Sequence, residues 1–272
     1  MKLSDAQQPT VATRKHGATV AAPAAAVAIL LAVWQFAVAA EVVPAFVLPS
    51  PLAVLRTTIA QFGTMTPHIV VTAAATLSGL GIALASAVIL TFAMITFPLL
   101  RRAMYPLLVV SQTVPLIALA PLFVIWFGFG LLPKVLVVAL VCFFPIVVSL
   151  TEGAAAVDTD TIDLLRSMGA RRWQVFTRAR VPASIPYLFG GLRIAATYSV
   201  MAAVIGEWLG GTRGLGVYMV RAQKAFALDR VFAAILVVVV LSLAVLGVIV
   251  AAQYVMSPHR RAGAEASRGA AA

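Results

Sequence analysis

A reactive site needs nucleophiles, bases or metal ligands that converge, and few side chains in this 272-residue sequence qualify. The three histidines, His16, His68 and His259, stand far apart near the ends of apolar stretches. None forms a ligand pair at helical spacing, so they read as interfacial polar residues. Cys142 is the one cysteine and lies in an apolar run, so no intrachain disulfide can form. A Gly-rich loop followed by Lys-Ser or Lys-Thr does not occur, which excludes that way of cradling a nucleotide phosphate. Gly210, Gly211, Gly214 and Gly216 make a turn cluster without the strand that a dinucleotide fingerprint requires. No catalytic residue, metal-ligand set or cofactor is expected on this chain.

Two charged side chains interrupt otherwise apolar sequence. Arg193 either snorkels its guanidinium toward a membrane face or lines a pathway for an anionic solute. Glu207 is the nearest thing to an intramembrane acid, where pumps and proton-coupled carriers commonly place relays. Pro106, Pro115 and Pro121 fall in one apolar stretch and each lacks an N–H, so each breaks a hydrogen-bond ladder. Such breaks persist where a neighbouring helix or a cavity satisfies the freed carbonyls. Gln112, Pro115, Pro121, Arg193 and Glu207 are therefore the candidate pathway residues, although packing kinks explain the prolines equally.

The elements that must carry these residues follow from composition. The chain is 62% hydrophobic and 11% charged, against about half and about a quarter in soluble domains. So little charge could not coat a soluble surface, and the bilayer is the alternative solvent. Residues 17–40 carry no charge, and residues 57–100 hold no Asp, Glu, Lys or Arg. Residues 103–133 are again charge-free, with Gly128, Gly130 and Pro133 supplying a turn before Lys134. Roughly 20 apolar residues cross a bilayer core, so the expectation is an all-α membrane protein. Its six spans fall at about 18–40, 68–98, 102–127, 131–151, 186–208 and 231–255. A tail at 1–17 precedes this 18–256 unit, and a disordered tail at 257–272 follows it. QFGTMTPH at 61–68 reads as a polar turn ahead of the second span, and Lys134 as a snorkelling boundary residue.

The charge balance of +11 reads as topology rather than as a nucleic-acid surface, because basic residues collect in cytoplasmic loops. With the N-terminus inside, thirteen basic residues fall on the cytoplasmic side and six outside, with Arg193 unassigned. Both termini are expected in the cytoplasm of a cell that carries this multi-pass protein in its plasma or inner membrane.

The segment 152–185 changes character. It carries four acids and five arginines, with apolar residues at helical spacing, and reads as an amphipathic cytoplasmic element. Thr159 or Thr161 can cap its start. Ile162, Leu165, Met168 and Gly169 fall on one face, and Trp173 and Phe176 lie three apart. Gly169 is disfavoured inside a helix by about 1 kcal/mol, so a turn or a close backbone approach is expected there.

From Asp163 the sequence reads DLLRSMGARRWQVFTRARVP. It resembles the signature loop of ABC importer permeases: E-A-A, three residues, Gly, nine residues, then I-x-L-P. Gly169 and Pro182 match. Asp163 stands for the glutamate, Leu164 and Leu165 for the alanines, and Ala179 and Val181 for the isoleucine and leucine. Ala170, Arg171, Arg172, Trp173 and Phe176 follow family usage. SQTVPLIALAPLFVIWFGFG at 111–130, GLRIA at 191–195, GLGVYM at 214–219 and RVFAAI at 230–235 are similar to the nitrate/sulfonate/taurine branch.

The resemblance implies a type I permease whose loop forms a coupling helix docked on a dimer of ATPase subunits, which hold the ATP and magnesium. It also implies a second permease copy, an extracytoplasmic solute-binding protein and a small-molecule substrate. That substrate would be a nitrate-, sulfonate- or taurine-like anion, or a vitamin precursor such as a thiamine pyrimidine or riboflavin. A membrane-surface helix resting Arg171, Arg172 and Arg178 on anionic lipid is the alternative for the loop. A self-sufficient channel or ion-coupled carrier is the alternative for the whole chain.

Overall fold

Lipid offers no partner to a backbone amide, so a chain of this composition must close its own hydrogen bonds. Every regular element among the described residues, 17–44 and 46–256 of a computed structural model, is helical. In order these are α1 Gly17–Ala39, α2 Pro51–Ala60, α3 Phe62–Thr96, α4 Pro98–Ser111, α5 Leu116–Phe127 and α6 Leu132–Ala155. They continue as α7 Thr159–Ser167, α8 Arg172–Val175, a π-helical turn at Phe176–Arg180, α9 Val181–Gly210, α10 Leu215–Lys224 and α11 Leu228–Met256. The expected tails lie outside the described residues, apart from Gly17 at the start of α1.

Helices α3, α6 and α9 form the centre, with α11 laid against α9. Helices in lipid gain little from burying apolar area against each other and associate through close packing, which favours small residues. The buried set follows that rule: Ala75, Ala83, Ala87, Ala195, Ala196 and Ala203 are inaccessible. At Gly79 of α3 an added Cβ would fall 2.5 Å from Val138 Cβ of α6, and at Gly191 of α9 it would fall 2.8 Å from Pro145 O. Helix α1 stands outside this centre, touching α2 and setting Trp34 against Phe232 of α11 at 6.1 Å.

Five stretches are long and apolar enough to cross a membrane: those in α1, α3, α6 and α11, and the continuous run Arg172–Trp208. The sixth crossing is broken. The expected helix at 102–127 is instead α4 and α5, of 14 and 12 residues, separated at Gln112–Pro115. Proline disfavours helical geometry in the residue before it and has no N–H to give back. That accounts for the stop before Pro115 and also for extended Phe97 before Pro98.

The packing shows that the broken pair still traverses the molecule. The end of α3 meets the π-turn through Phe92 and Phe176. The start of α3 and the start of α6 both meet the loop before α10, through His68 and Lys134. The chain from α3 to α6 therefore runs from the α7 face to the α10 face. Trp34 near the end of α1 meets Phe232 near the start of α11, and Gln253 near the end of α11 meets Arg193 in the first half of α9. These contacts put the beginning of α1 and the end of α11 on the α7 face.

Three local expectations are corrected. Residues 61–68 are not a turn: α3 starts at Phe62 and continues through Pro67, which has no N–H to donate to the carbonyl of Gly63. The fifth span does not wait for residue 186, because helix continues through the π-turn from Arg172. Pro182 has no N–H to donate, and the π-turn just before it takes up the change, with Val181 N donating to Phe176 O. Lys134 does not snorkel. It is 3% exposed, and its ammonium donates to Arg213 O.

Candidate functional site

Helix α7 is amphipathic and capped at both ends. Asp158, not Thr159 or Thr161, is the N-cap, its carboxylate accepting the Asp160 N–H at 3.2 Å. Ile162 is buried against the body of the protein. The C-terminus closes in a Schellman motif. Gly169 N donates to Arg166 O and Ala170 N to Leu165 O, both at 2.9 Å, with Gly169 at φ +82°. Space around Gly169 is open within the chain, so its conformation rather than a close approach demands the missing side chain.

After this turn Arg171 caps α8, its N–H donating to Gln174 Oε1 at 2.7 Å. The outcome is an apolar surface that faces away from the protein. Leu164, Met168 and Trp173 are 61%, 76% and 70% exposed. Asp163 and Arg166 pair at 3.3 Å on the same exposed helix, and Arg171 and Arg172 flank the patch. Trp173 stacks on Phe176 at 5.4 Å, and Phe176 meets Phe92 of α3 edge-on at 5.2 Å. These ring contacts join Trp173 to the end of a core helix.

The α4–α5 break opens a second feature, a cavity of about 270 Å³. Ser111, Gln112, Val114 and Leu119 line it from the broken helix, and Val141 and Phe144 from α6. Pro115 makes the break and Pro121 lies inside α5.

Arg193 and Glu207 are placed elsewhere. Arg193 is exposed on α9, and its Nη2 donates to Gln253 Oε1 of α11. Gln253 is one of the few polar side chains in the interior. No hydrogen bond or ion pair among the described residues joins Arg193 or Glu207 to Gln112.

Glu207, 1% exposed, anchors the loop before α10. Its Oε1 accepts from Thr72 Oγ1 and its Oε2 from Gly216 N, each at 2.8 Å. Thr72 Oγ1 also accepts the Leu215 N–H at 2.9 Å, and His68 Nδ1 lies 3.0 Å from Gly214 N. A carboxylate at the N-terminus of α10 meets unpaired N–H groups and the positive end of the helix dipole. Gly214 adopts φ +132°, and a Cβ there would sit 2.1 Å from the carboxylate carbon. Half-buried His68 and buried Thr72, Lys134, Gly214 and Gly216 thus form one node with Glu207 that nothing local in the sequence joins.

Among the described residues no group of three or more His, Cys, Asp or Glu side chains is placed to hold a metal ion. Residues 87–260, more than half the chain, match the family described as binding-protein-dependent transport system inner membrane component. The chain belongs to that family.

Curated relatives of this transport family agree in kind. The chain is 36% identical over 233 residues to the formylaminopyrimidine transport permease protein ThiX of Halalkalibacterium halodurans, covering 85% of this chain and 93% of the relative. It is 36% identical to the riboflavin transport system permease protein RibX of Chloroflexus aurantiacus, over 79% of this chain and 81% of the relative. It is 31% identical to the taurine transport system permease protein TauC of Escherichia coli, over the same shares. The protein is thus a multi-pass inner-membrane permease of the ABC importer type, a transport component whose family works with an ATPase and a binding protein.

The Phe92–Phe176 and Arg193–Gln253 contacts are features the structure adds to the sequence. Phe92 and Gln253 were each visible, Gln253 as the lone strongly polar residue late in a charge-free block. Neither carries a local pattern that names its partner.

Proposed function

We propose that this chain is the permease subunit of an ATP-driven importer, with α7 and α8 facing the cytoplasm and docking an ATPase subunit that holds ATP and magnesium. The observation that carries this reading is the exposed apolar surface of Leu164, Met168 and Trp173, held by a fixed helix end and linked through Phe176 to α3. A surface of that kind needs a partner, and the aromatic stack gives the partner's movement a route into the membrane. The α10 face then receives the solute-binding protein, and both termini lie in the cytoplasm.

A second copy of the permease completes the pathway. Helix α9 is the most centrally packed element, yet Arg193, Ile194, Thr197, Tyr198 and Met201 form an exposed stripe along it. A stripe holding a guanidinium, a hydroxyl and a phenol is poorly suited to acyl chains and fits a shared, solute-lined seam. Gln112, the break at Pro115 and Pro121 within α5 form the same pathway from α4 and α5. The cargo we favour is an uncharged heteroaromatic vitamin precursor of pyrimidine size. Apolar walls with Ser111 and Gln112 as hydrogen-bonding groups, and no cation, line the cavity at the break.

The test is co-expression with the partner ATPase and binding protein, followed by uptake in reconstituted vesicles. The expected result is co-purification of the three proteins and uptake only with ATP and loaded binding protein. Solute flux through the chain alone, without ATPase, would overturn the reading in favour of a channel or ion-coupled carrier. A thermal-shift panel on the binding protein decides the cargo, and stabilisation by taurine or nitrate but not by pyrimidines would exclude the heteroaromatic.

A further inference from the structure

Between the end of α3 and the π-turn lies a cavity of about 690 Å³. Its lining divides by chemistry. Phe97, Trp173 and Phe176 are aromatic, whereas Arg166, Arg172 and Arg180 bring three guanidiniums to the same space. Asp163 answers Arg166 alone. The guanidiniums of Arg172 and Arg180 make no hydrogen bond or ion pair among the described residues, and the Nε of Arg180 is shut away from solvent without an acceptor. A buried N–H left unpaired is costly, and more so when it carries charge. Three like charges around one cavity add repulsion to that cost. The arrangement calls for an anion with several acceptor oxygens, and a phosphate meets guanidinium forks in two-pronged fashion.

The level of the cavity says how such a phosphate arrives. Phe97 and Leu99 beside it are 60% and 80% exposed, and Ile89, two turns back on α3, is 70% exposed. On a membrane-spanning chain, such side chains belong among acyl tails, while the arginines lie at headgroup depth. Basic pockets at the ends of spans are suited to anionic lipid headgroups. We propose that this cavity binds the phosphate headgroup of an anionic phospholipid, with Arg172 and Arg180 as the principal ligands and Phe97 and Leu99 against its tails. Since Trp173 and Phe176 belong to the same lining, the bound lipid braces the segment that joins α8 to α3. The proposal rests on the chain's place in a membrane and not on the solute it carries.

The experiment is native mass spectrometry of the full-length chain in neutral detergent, titrated with phosphatidylglycerol or phosphatidylcholine. Wild type should retain phosphatidylglycerol with at least tenfold preference, Arg172→Gln/Arg180→Gln should lose that preference, and Arg172→Lys/Arg180→Lys should keep part of it. Arg101→Gln/Arg102→Gln, which removes two guanidiniums that do not line this cavity, controls for general charge and should behave as wild type. Equal retention in wild type and the Gln pair overturns the site. Displacement of the lipid by millimolar inorganic phosphate or glycerol phosphate overturns the lipid as its source. Displacement by added ATPase subunit would assign the arginines to a protein interface instead, which also overturns the proposal.

Discussion

Glu207 ties two groups together directly, and its neighbours hold the loop around it. Its oxygens are filled by Thr72 and Gly216, Thr72 in turn takes the Leu215 N–H, and His68 and Lys134 hold the backbone on either side. Removing its carboxylate leaves the buried Gly216 N–H and the Thr72 hydroxyl without their acceptor, at about 1–3 kcal/mol for each buried group left unpaired. Glu207→Ala should therefore lower the unfolding midpoint in detergent strongly, and Gly214→Ala should do the same by driving a methyl into the carboxylate. Glu207→Gln keeps one acceptor and turns a donor toward a donor at the other position, so about 1–3 kcal/mol should be lost. An unchanged midpoint for Glu207→Ala, followed by helical circular dichroism, would show that the node does not hold α10. The sequence displayed the acid and the glycine cluster but hid the rest, since Thr72 lies 135 residues from Glu207. Nothing local marks such a pairing.

At the scale of elements, the legible features were those with a local cause. Charge-free runs marked the helices, and the glycine in the loop marked a turn, because both follow from neighbouring residues alone. The α4–α5 break and the π-turn were harder, since a proline in lipid can kink, stop or merely tilt a helix, and tertiary packing decides which. Gly169 offers the sharpest test at this scale. An L-residue in the left-handed region costs about 1–2 kcal/mol, a factor of about five to thirty in the population of the native turn. Asn tolerates that region, Ala less so, and β-branched Val least. With open space around the glycine, none of these should disturb membrane insertion. Cargo-stimulated ATP hydrolysis in the reconstituted complex should fall in the order Gly, Asn, Ala, Val. Equal stimulation by wild type and Gly169→Val, at equal assembled protein, would separate the turn from coupling.

For the whole molecule, charge and packing bear on different parts of the topology. The proposed cytoplasmic side of the loop holding α7 rests on thirteen basic residues against six, and the packing puts the start of α1 and the end of α11 on the same face as that loop. The charge argument is weakest where Arg213, Arg221, Lys224 and Arg230 crowd the opposite face. Arg221 is partly accounted for, since its Nη2 donates to Thr212 O. Single cysteines decide the matter once Cys142, buried and free, is replaced by Ala. Gln223 on α10 and Ser167 on α7 are both exposed, so each cysteine placed there can be reached from its own side. A membrane-impermeant maleimide should label Gln223→Cys in cells whose inner membrane is intact, and Ser167→Cys only after that membrane is opened. The six-crossing path requires opposite responses at these two positions, because an odd number of crossings separates them. Labelling of Ser167→Cys in intact cells would reverse the orientation, and no ATPase could then reach Leu164, Met168 and Trp173. Labelling of both from outside would contradict the path itself, since α9 joins them with a single crossing.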